Sequence, residues 1–414
     1  MTSLPSTPYR WAILAAAVIV QTCAAFVLLG IGTLAPFFKD AYDLSGARTG
    51  LIVTAIALAP LFALLPVGRF LDHHSERPAI SGGAMIMAAG AAGAAYVDSY
   101  LLLLLVLVAG GTGYAASQPG GAKVVAIWFS DEERGLAMGI RQTGLPLGGA
   151  LAAAVLPAMA ERSGLRVALL TAAAVAAAGS IIFYLVDRHP PVAPDRSGYH
   201  FATEIRTALA DRETRRVMWA GLVMVCAQFS VITYLILYLR DDVGMPVTTG
   251  AWMLFTTTIA GGAGRVALAA WSDRARGGRV IPVTTAIVAT SALFVVLAFI
   301  PSGSSTAAVL ALSAAVGFFG FGWYGPWVVH VAEIAPRRAV GLTLALAMTG
   351  NQLGIVIAPP IFGLLLDISG GYTLPWLTVA GFLAIGAHRV GRGTWRWRPV
   401  RPPEVHPPPS TART

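Results

Sequence analysis

The sequence predicts an all-α membrane protein with twelve transmembrane helices in two pseudo-symmetric six-helix bundles. Of its residues, 56% are hydrophobic and only 12% are charged, whereas about a quarter of the residues of soluble domains carry a charge. Apolar stretches of about 20 residues, enough to cross roughly 30 Å of hydrocarbon, recur along the whole chain. In addition, TGLPLGGALAAAVLPAMAERSG at 143–164 returns as TGNQLGIVIAPPIFGLLLDISG at 349–370, half a chain length later.

Polar or basic segments separate the apolar stretches and so delimit the spans. We place the twelve spans at 11–38, 49–70, 79–97, 99–127, 136–158, 167–186, 217–239, 249–271, 280–300, 306–330, 341–366 and 373–390. The first span follows Arg10 and therefore has to be compared with a signal peptide. Its apolar run is too long for a cleaved signal core and eleven spans follow it, so we expect it to remain as the first helix.

The spans fall into two groups of six. We predict a first bundle at 1–186, a connecting loop at 187–215, a second bundle at 216–392 and a tail at 393–414. The connection begins with prolines and continues with a charged stretch of helical character, as expected of a solvated linker.

Further matches at an offset of 207, such as Gln21 with Gln228 and Pro119 with Pro326, show that the second half repeats the first. Two like halves are an architecture of secondary transporters, in which the substrate site lies near the membrane midplane between the halves.

Basic residues predict the orientation. Of the 29 lysines and arginines, 21 arginines fall in the termini and loops of one side, and five basic residues fall on the other. Because positive loops stay in the cytoplasm, we expect both termini to be cytoplasmic, in a multi-pass protein of a bacterial inner membrane. The net charge of +9 then reflects topology and contact with anionic membrane lipid, not binding of nucleic acid.

Two loops carry a recognisable pattern. The first, VGRFLDHHSERP, follows the second span, and its counterpart GRVALAAWSDRARGGR ends the eighth. Both resemble the loop signature of the major facilitator superfamily, G-x-L-x-D-R-x-G-R-R. The first copy has Ser75 in place of a glycine, and the second has Ala269 in place of the first glycine.

The twelve-span layout extends this resemblance over the whole chain. In the superfamily the loop acts as a conformational latch, so the resemblance implies a gating role for Gly68, Asp72, Arg77, Asp273 and Arg274. Carboxylates at such helix ends can accept backbone N–H groups of a neighbouring helix or pair with arginine.

The stretch GLPLGG at 144–149 is similar to the antiporter signature G-P-x-x-G-G but is one residue longer before the proline, so exchange is not inferred. Together with ERG at 133–135, it resembles bacterial members that carry small anions, including the cyanate-transporter group.

Charges inside spans cost roughly 2.5–3.5 kcal/mol each and are therefore candidates for function. We assign Lys123 and Arg265 to interface anchoring or latch support. Arg141, beside Gln142, is our candidate for the cavity, because a guanidinium can bind a planar anion through two donors. By the superfamily layout, helices 1, 4, 7 and 10 line the path, and a packing role stays open for each further candidate on them: Gln21, Tyr114, Gln118, Gln228, Tyr234, Trp323 and Tyr324.

We therefore expect a monomeric secondary active transporter that moves a small, anionic organic solute by alternating access, coupled to protons. Proton-driven drug efflux is the alternative, although no Asp or Glu occupies the middle of spans 1, 4 or 7. A membrane enzyme would need a catalytic cluster, which the sequence does not suggest, and a receptor or scaffold is a third possibility. Cys23 and Cys226 both lie inside spans, and we expect no disulfide, metal or cofactor.

Overall fold

The computed structural model describes residues 8–130, 133–188, 206, 209–275, 279–335 and 340–391. Every regular element within these ranges is helical. The α-helices are α1 (Tyr9–Thr33), α2 (Ala35–Tyr42), α3 (Gly46–His73), α4 (Glu76–Ala94), α5 (Tyr100–Gly111), α6 (Ser117–Trp128), α7 (Arg134–Gln142), α8 (Gly144–Ser163), α9 (Leu165–Val186), α10 (Arg212–Asp241), α11 (Val247–Arg274), α12 (Val280–Ala298), α13 (Thr306–Gly320), α14 (Tyr324–Ile334), α15 (Val340–Ser369) and α16 (Thr373–Gly391).

Ten helical stretches in the described residues are long and apolar enough to cross a membrane. The predicted spans 79–97 and 373–390 correspond to α4 and α16, which are 19-residue helices and are not among these ten. Both helices carry charged residues at one end, Glu76 and Arg77 in α4 and Arg389 in α16. The count of twelve spans therefore stays a prediction.

Three predicted spans are interrupted helices. The span 99–127 consists of α5, a 3₁₀ turn at Thr112–Ala116 and α6. The span 136–158 is divided at Thr143 into α7 and α8, and the span 306–330 is divided between α13 and α14. Tyr114, Arg141 and Tyr324 all lie at or next to these interruptions.

The sequence repeat corresponds to a repeat of helix packing. α1 packs on α8, and α10 packs on α15 in the same way. A Cβ atom at Gly148 would lie 2.3 Å from the Thr22 carbonyl oxygen, and one at Gly354 would lie 2.5 Å from the Val225 side chain. The absence of a side chain at these repeat-related positions therefore lets each helix pair approach closely.

Two main hydrophobic cores follow the two halves of the chain. One consists of residues from α1 to α9, and the other is built mainly from α10 to α16 with a few side chains of the first half. Across the halves, the packed pairs are chiefly α3 with α15 and α8 with α11. We call the described residues 8–188 the first half and 206–391 the second half.

The halves are joined at one end. We call the end that carries Arg10, Arg77, Arg188, Arg279 and Arg389 the arginine-rich end, and the other the opposite end. In the described ranges, the recorded side-chain hydrogen bonds and ion pairs between the halves lie in the part of the molecule between the middle of α3 and the opposite end. The molecule is thus closed at the opposite end.

Candidate functional site

Arg141 is buried at the junction of the 3₁₀ turn and α6. It is 1% exposed, and its Nη2 donates to the backbone oxygens of Ser117 and Gln118 at 2.7 and 3.3 Å. The Gln118 side-chain oxygen lies 3.4 Å from the same nitrogen. The Nε atom is buried without a hydrogen-bond partner. The guanidinium is therefore fixed by neutral oxygens and keeps donor capacity.

No carboxylate is recorded as an ion-pair partner of Arg141 among the described residues. Glu333, an acidic residue of α14, accepts from Nε of Arg279 at 2.6 Å. Space for the guanidinium depends on Gly121, where a Cβ atom would lie 2.1 Å from Nε of Arg141. The sequence analysis did not identify Gly121, because its role depends on how α6 meets α7.

Two glutamines, Gln21 and Gln142, add polar groups next to Arg141. Nε2 of Gln21 on α1 donates to Oε1 of Gln142 at 3.3 Å, and Gln21 is completely buried. Its own Oε1 has no partner. Buried polar groups of this kind are costly unless something completes their hydrogen bonds, so the pair keeps unused hydrogen-bonding capacity beside Arg141.

Arg265 is the corresponding cation of the second half. Its Nε donates to the backbone oxygen of Phe321 at 3.3 Å, and its guanidinium carbon lies 4.9 Å from the centre of the Tyr324 ring. The two Nη atoms have no recorded hydrogen-bond partner in the described part of the chain. Arg265 lies nine residues before the end of α11, about 13.5 Å along the helix axis at 1.5 Å per residue. Its expected role in interface anchoring or latch support stays a prediction.

Both arginines lie near the same two tyrosines, Tyr114 of the first half and Tyr324 of the second. Arg141 is within electrostatic range of Tyr324, and Arg265 is within electrostatic range of Tyr114. Gln118 also lies beside Tyr114. We call Tyr114, Gln118, Arg141, Arg265 and Tyr324 the central site. It contains two cations, one from each half: Arg141 is buried and Arg265 is partly buried.

A small cavity adjoins the central site. It has a volume of about 10 Å³ and is lined by residues of both halves, including Leu29, Pro146, Gln228 and Arg265. This is space for about one water molecule. The structure therefore places the predicted residue Gln228 beside the central site.

Two predicted site residues lie elsewhere. Tyr234 is fully buried, with its hydroxyl 2.9 Å from the Gly46 carbonyl oxygen and 2.8 Å from that of Pro359, at the closed end. Trp323 is also fully buried and packs on Trp327 and Tyr324 within the core of the second half. Both aromatic residues were chosen from helix membership, which does not determine the direction that a side chain faces.

The closed end is held by a carboxylate that the sequence analysis missed. Asp367, at the end of α15, accepts the backbone N–H groups of Gly46 and Ala47 at 2.6 and 2.9 Å. These N–H groups start α3, where the helix dipole is positive and favours a negative charge. Lys39 with Asp241 and Arg240 with Asp40 add ion pairs between the halves. The sequence feature that could have indicated Asp367 is the internal repeat, in which Asp367 aligns with Glu161.

The predicted gating residues of the second half pair within that half. Oδ1 of Asp273 accepts from Arg279 at 2.6 Å, and Arg279 also binds Glu333. Arg274 donates to the carbonyl oxygen of Ala270 on its own helix. In this conformation the loop therefore ties α11 to α14 and makes no recorded contact with the first half.

In the first half, Arg77 donates to the Tyr184 carbonyl oxygen at 2.7 Å and lies over its ring. Gly68 and Asp72 belong to α3, but the placement of their side chains lies outside the described residues. Lys123, which we assigned to interface or latch support, donates to the carbonyl oxygens of Leu71 and His74 at the end of α3.

A buried carboxylate pair lies beside this turn. Glu76 is 1% exposed and is 3.4 Å from Nζ of Lys123. Burial raises the pKa of the Asp187 carboxyl to about 7; the neighbouring Glu76 charge also raises it, and Arg77 lowers it. Asp187 is 2% exposed, directly after the end of α9. Burial thus raises the pKa of a carboxyl group at the end of α9, beside this turn, towards neutral pH.

Comparison with known proteins identifies the class of molecule to which this site belongs. Residues 17–331 match the model of the Major Facilitator Superfamily. The chain belongs to the Major Facilitator Superfamily. It is therefore a multi-pass membrane transporter and not an enzyme, and both arginines of the central site lie in the matched region.

Relatives and solved structures agree with this assignment. The chain is 29% identical over 371 residues to the uncharacterized MFS-type transporter Rv2994 of Mycobacterium tuberculosis, covering 89% of this chain and 81% of that protein. It is 25% identical over 385 residues to the probable sulfoacetate transporter SauU of Cupriavidus necator, covering 87% and 88%. A bacterial homolog of the human lysosomal transporter Spinster, solved inward-facing and unoccupied, superposes with a TM-score of 0.77 at 16% identity, over 93% of this chain and 97% of that one. This last likeness concerns the fold alone.

Proposed function

We propose that this transporter moves a small organic anion across the cytoplasmic membrane by alternating access, through a site formed by Arg141 and Arg265. The observation that carries the proposal is the pair of guanidinium groups, one buried (Arg141) and one partly buried (Arg265), that come from the two halves and have no recorded carboxylate partner in the described residues. An unpaired buried charge is costly. A bound anion would offset this cost, and the positive site would disfavour a hydrophobic cation.

The arrangement favours an anion with two acidic groups. Each arginine has donors left after its backbone contacts, namely Nε of Arg141 and the Nη atoms of Arg265. A carboxylate or sulfonate at each end of a short molecule could accept charge-assisted hydrogen bonds from both. The relative named for sulfoacetate transport supports testing molecules that carry one carboxylate and one sulfonate.

Alternating access is supported by the uneven distribution of contacts between the halves. The opposite end is closed by Asp367, Tyr234 and the Lys39 and Arg240 ion pairs, whereas the recorded ion pairs at the arginine-rich end stay within one half. With the arginine-rich end in the cytoplasm, as the positive-inside rule predicts, the described state is inward-facing. We propose twelve spans in two six-helix bundles, with cytoplasmic termini, and transport as a monomer.

Transport into proteoliposomes tests the proposal. The labelled solutes are a short monocarboxylate, a dicarboxylate, sulfoacetate and a hydrophobic cation, each assayed with and without an inward proton gradient. We expect uptake of a dianion that the proton gradient accelerates. Movement of the cation and of none of the anions would support drug efflux and contradict the proposal.

A matched pair of variants links transport to the site. Arg265→Gln removes one cation of the central site, whereas Arg274→Gln removes an exposed cation from the end of the same helix. We expect Arg265→Gln to lower the affinity for the anion and, with it, anion uptake. We expect Arg274→Gln to leave the affinity for the anion unchanged. Equal affinities in the two variants would contradict the assignment of Arg265.

A further inference from the structure

A second feature with the chemistry of a binding site lies away from the central site, at the arginine-rich end of α10, α15 and α16. It is an open groove of about 670 Å³. Its apolar part includes Met218, Trp219, Leu222 and Leu353, and its basic part consists of Arg212, Arg215, Arg216 and Arg389. We call it the arginine groove. It shares no residue with the cavity beside Arg265.

The arginine groove opens on the outer surface of the helices. Trp219 on α10 packs edge-on against Phe382 of α16, and a Cβ atom at Gly354 of α15 would lie 3.1 Å from the Leu222 side chain. The groove therefore has α10 as its floor, with α15 and α16 on either side. Leu353 is 43% exposed. In a membrane protein, such an outward-facing apolar surface is in contact with lipid.

The arginines of the groove have no recorded carboxylate partners in the part of the chain described. Nη1 of Arg215 donates to the carbonyl oxygens of Leu209 and Ala210, and Arg389 lies over the Trp219 ring at 5.0 Å. The nearby carboxylate of Asp211 caps α10 by accepting from Thr214.

Neighbouring charges do not neutralise the arginines of the groove. Glu213, in the first turn of α10, does not line the groove. The positive end of the α10 dipole adds to the four arginine charges. The groove therefore has an excess of positive charge above an apolar floor.

We propose that the arginine groove binds one anionic phospholipid. Its phosphate would lie among Arg212, Arg216 and Arg389, with an acyl chain along Trp219, Leu222 and Leu353. Basic pockets between transmembrane helices on the cytoplasmic side suit anionic headgroups. A free anion would use the arginines but not the apolar floor, and a zwitterionic lipid would leave the positive charge uncompensated.

The protein's own tail is a poor occupant. Residues 393–414 contain four arginines and a single glutamate, so like charges would repel the tail from the groove. The lipid proposal is independent of the solute that the central site carries. Both proposals assume that the arginine-rich end is cytoplasmic. Lipid binding measured in detergent does not depend on that assumption.

Native mass spectrometry of the purified full-length protein tests lipid binding directly. The probes are dioleoyl phosphatidylglycerol, dioleoyl phosphatidylcholine and, as a headgroup without acyl chains, glycerol phosphate. We expect one phosphatidylglycerol to be retained at concentrations at which phosphatidylcholine is lost. Arg216→Gln and Arg389→Gln should each weaken its binding about fivefold, and the double variant about 25-fold. Arg188→Gln, which removes a cation of the same end but outside the groove, is the matched control and should bind as the wild type does.

A second variant separates lipid from free anion. Leu353→Trp fills the apolar floor and leaves the arginines unchanged, so it should reduce phosphatidylglycerol binding while any weak binding of glycerol phosphate persists.

Equal retention of the two lipids, or wild-type retention in the double arginine variant, would overturn the proposal. Thermal stabilisation by glycerol phosphate as large as that by phosphatidylglycerol would identify a free-anion site instead. Lipid binding that requires removal of residues 393–414 would identify the tail as the occupant. Solute binding measured in parallel should be unchanged in Arg216→Gln, which separates failure here from failure of the proposed function.

Discussion

Replacing Gly50 with alanine should open the end of the molecule that the structure shows closed. A Cβ atom at Gly50 would lie 2.4 Å from the carbonyl oxygen and 2.5 Å from the carbonyl carbon of Pro359. Both are backbone atoms, so no side chain can rotate away. Ordinary contact begins at 3.4 Å, so α3 and α15 would have to separate by about 1 Å.

The size of the effect follows from this clash. Overpacking a tight contact costs roughly 1–3 kcal/mol, which corresponds to a shift of about fivefold to 150-fold in a two-state equilibrium. Under the proposed alternating access, α3 and α15 separate at this end in the other state, so the penalty should fall on the closed state alone. Gly262→Ala is the matched control, since a Cβ atom there would meet nothing within 4 Å.

Distances between spin labels at Ala41 and Thr373 measure the opening. Both positions are exposed near the opposite end, and the labels are placed on a background without Cys23 and Cys226. We expect Gly50→Ala to add a population at longer distance, and Gly262→Ala to leave the wild-type distribution. If Gly50→Ala gave the wild-type distribution while remaining folded, the reasoning about the α3–α15 contact would be refuted.

Three further predictions concern the arginine-rich end. The pKa of Asp187 is raised from 3.8 to about 7 in the folded protein, so its contribution to stability is complete below about pH 4 and is lost as the pH rises through 7. Thermal unfolding at several pH values should show this fall, and Asp187→Asn should lack it; an unchanged pH dependence in the variant would contradict the assignment. Asp273→Asn removes a partner of Arg279 and should slow transport while leaving solute binding intact, so a large loss of affinity would argue against a gating role. A cysteine at Ser197 should be labelled by reagents only from the cytoplasm of intact cells, and labelling from the other side would contradict the proposed topology.

The sequence is informative about fold because burial of apolar helices in lipid leaves a strong compositional pattern. It also singles out Arg141, since a charge inside a span is costly whatever its neighbours are. It does not reveal Asp367, whose role depends on the crossing of α3 and α15, helices that are distant in the chain. Helix register explains the misplacement of Tyr234, which lies on the correct helix but at the closed end.

The surroundings of Arg265 depend on tertiary structure. The predicted span ended at residue 271, whereas α11 continues to Arg274, so Arg265 lies nine residues from the helix end and not six. Its position next to Tyr324 depends on the break between α13 and α14, which hydropathy averages out.

The central claim is that Arg141 and Arg265 together bind an anionic solute, and equilibrium binding to purified variants tests it most directly. A charge-assisted contact of this kind contributes roughly 1.5–3 kcal/mol. Arg141→Gln and Arg265→Gln should therefore each weaken binding of the transported anion about tenfold to a hundredfold, and Arg141→Lys should fail nearly as badly because an ammonium cannot replace the planar fork. Affinities equal to that of the wild type in all three variants, with the proteins folded, would contradict the claim.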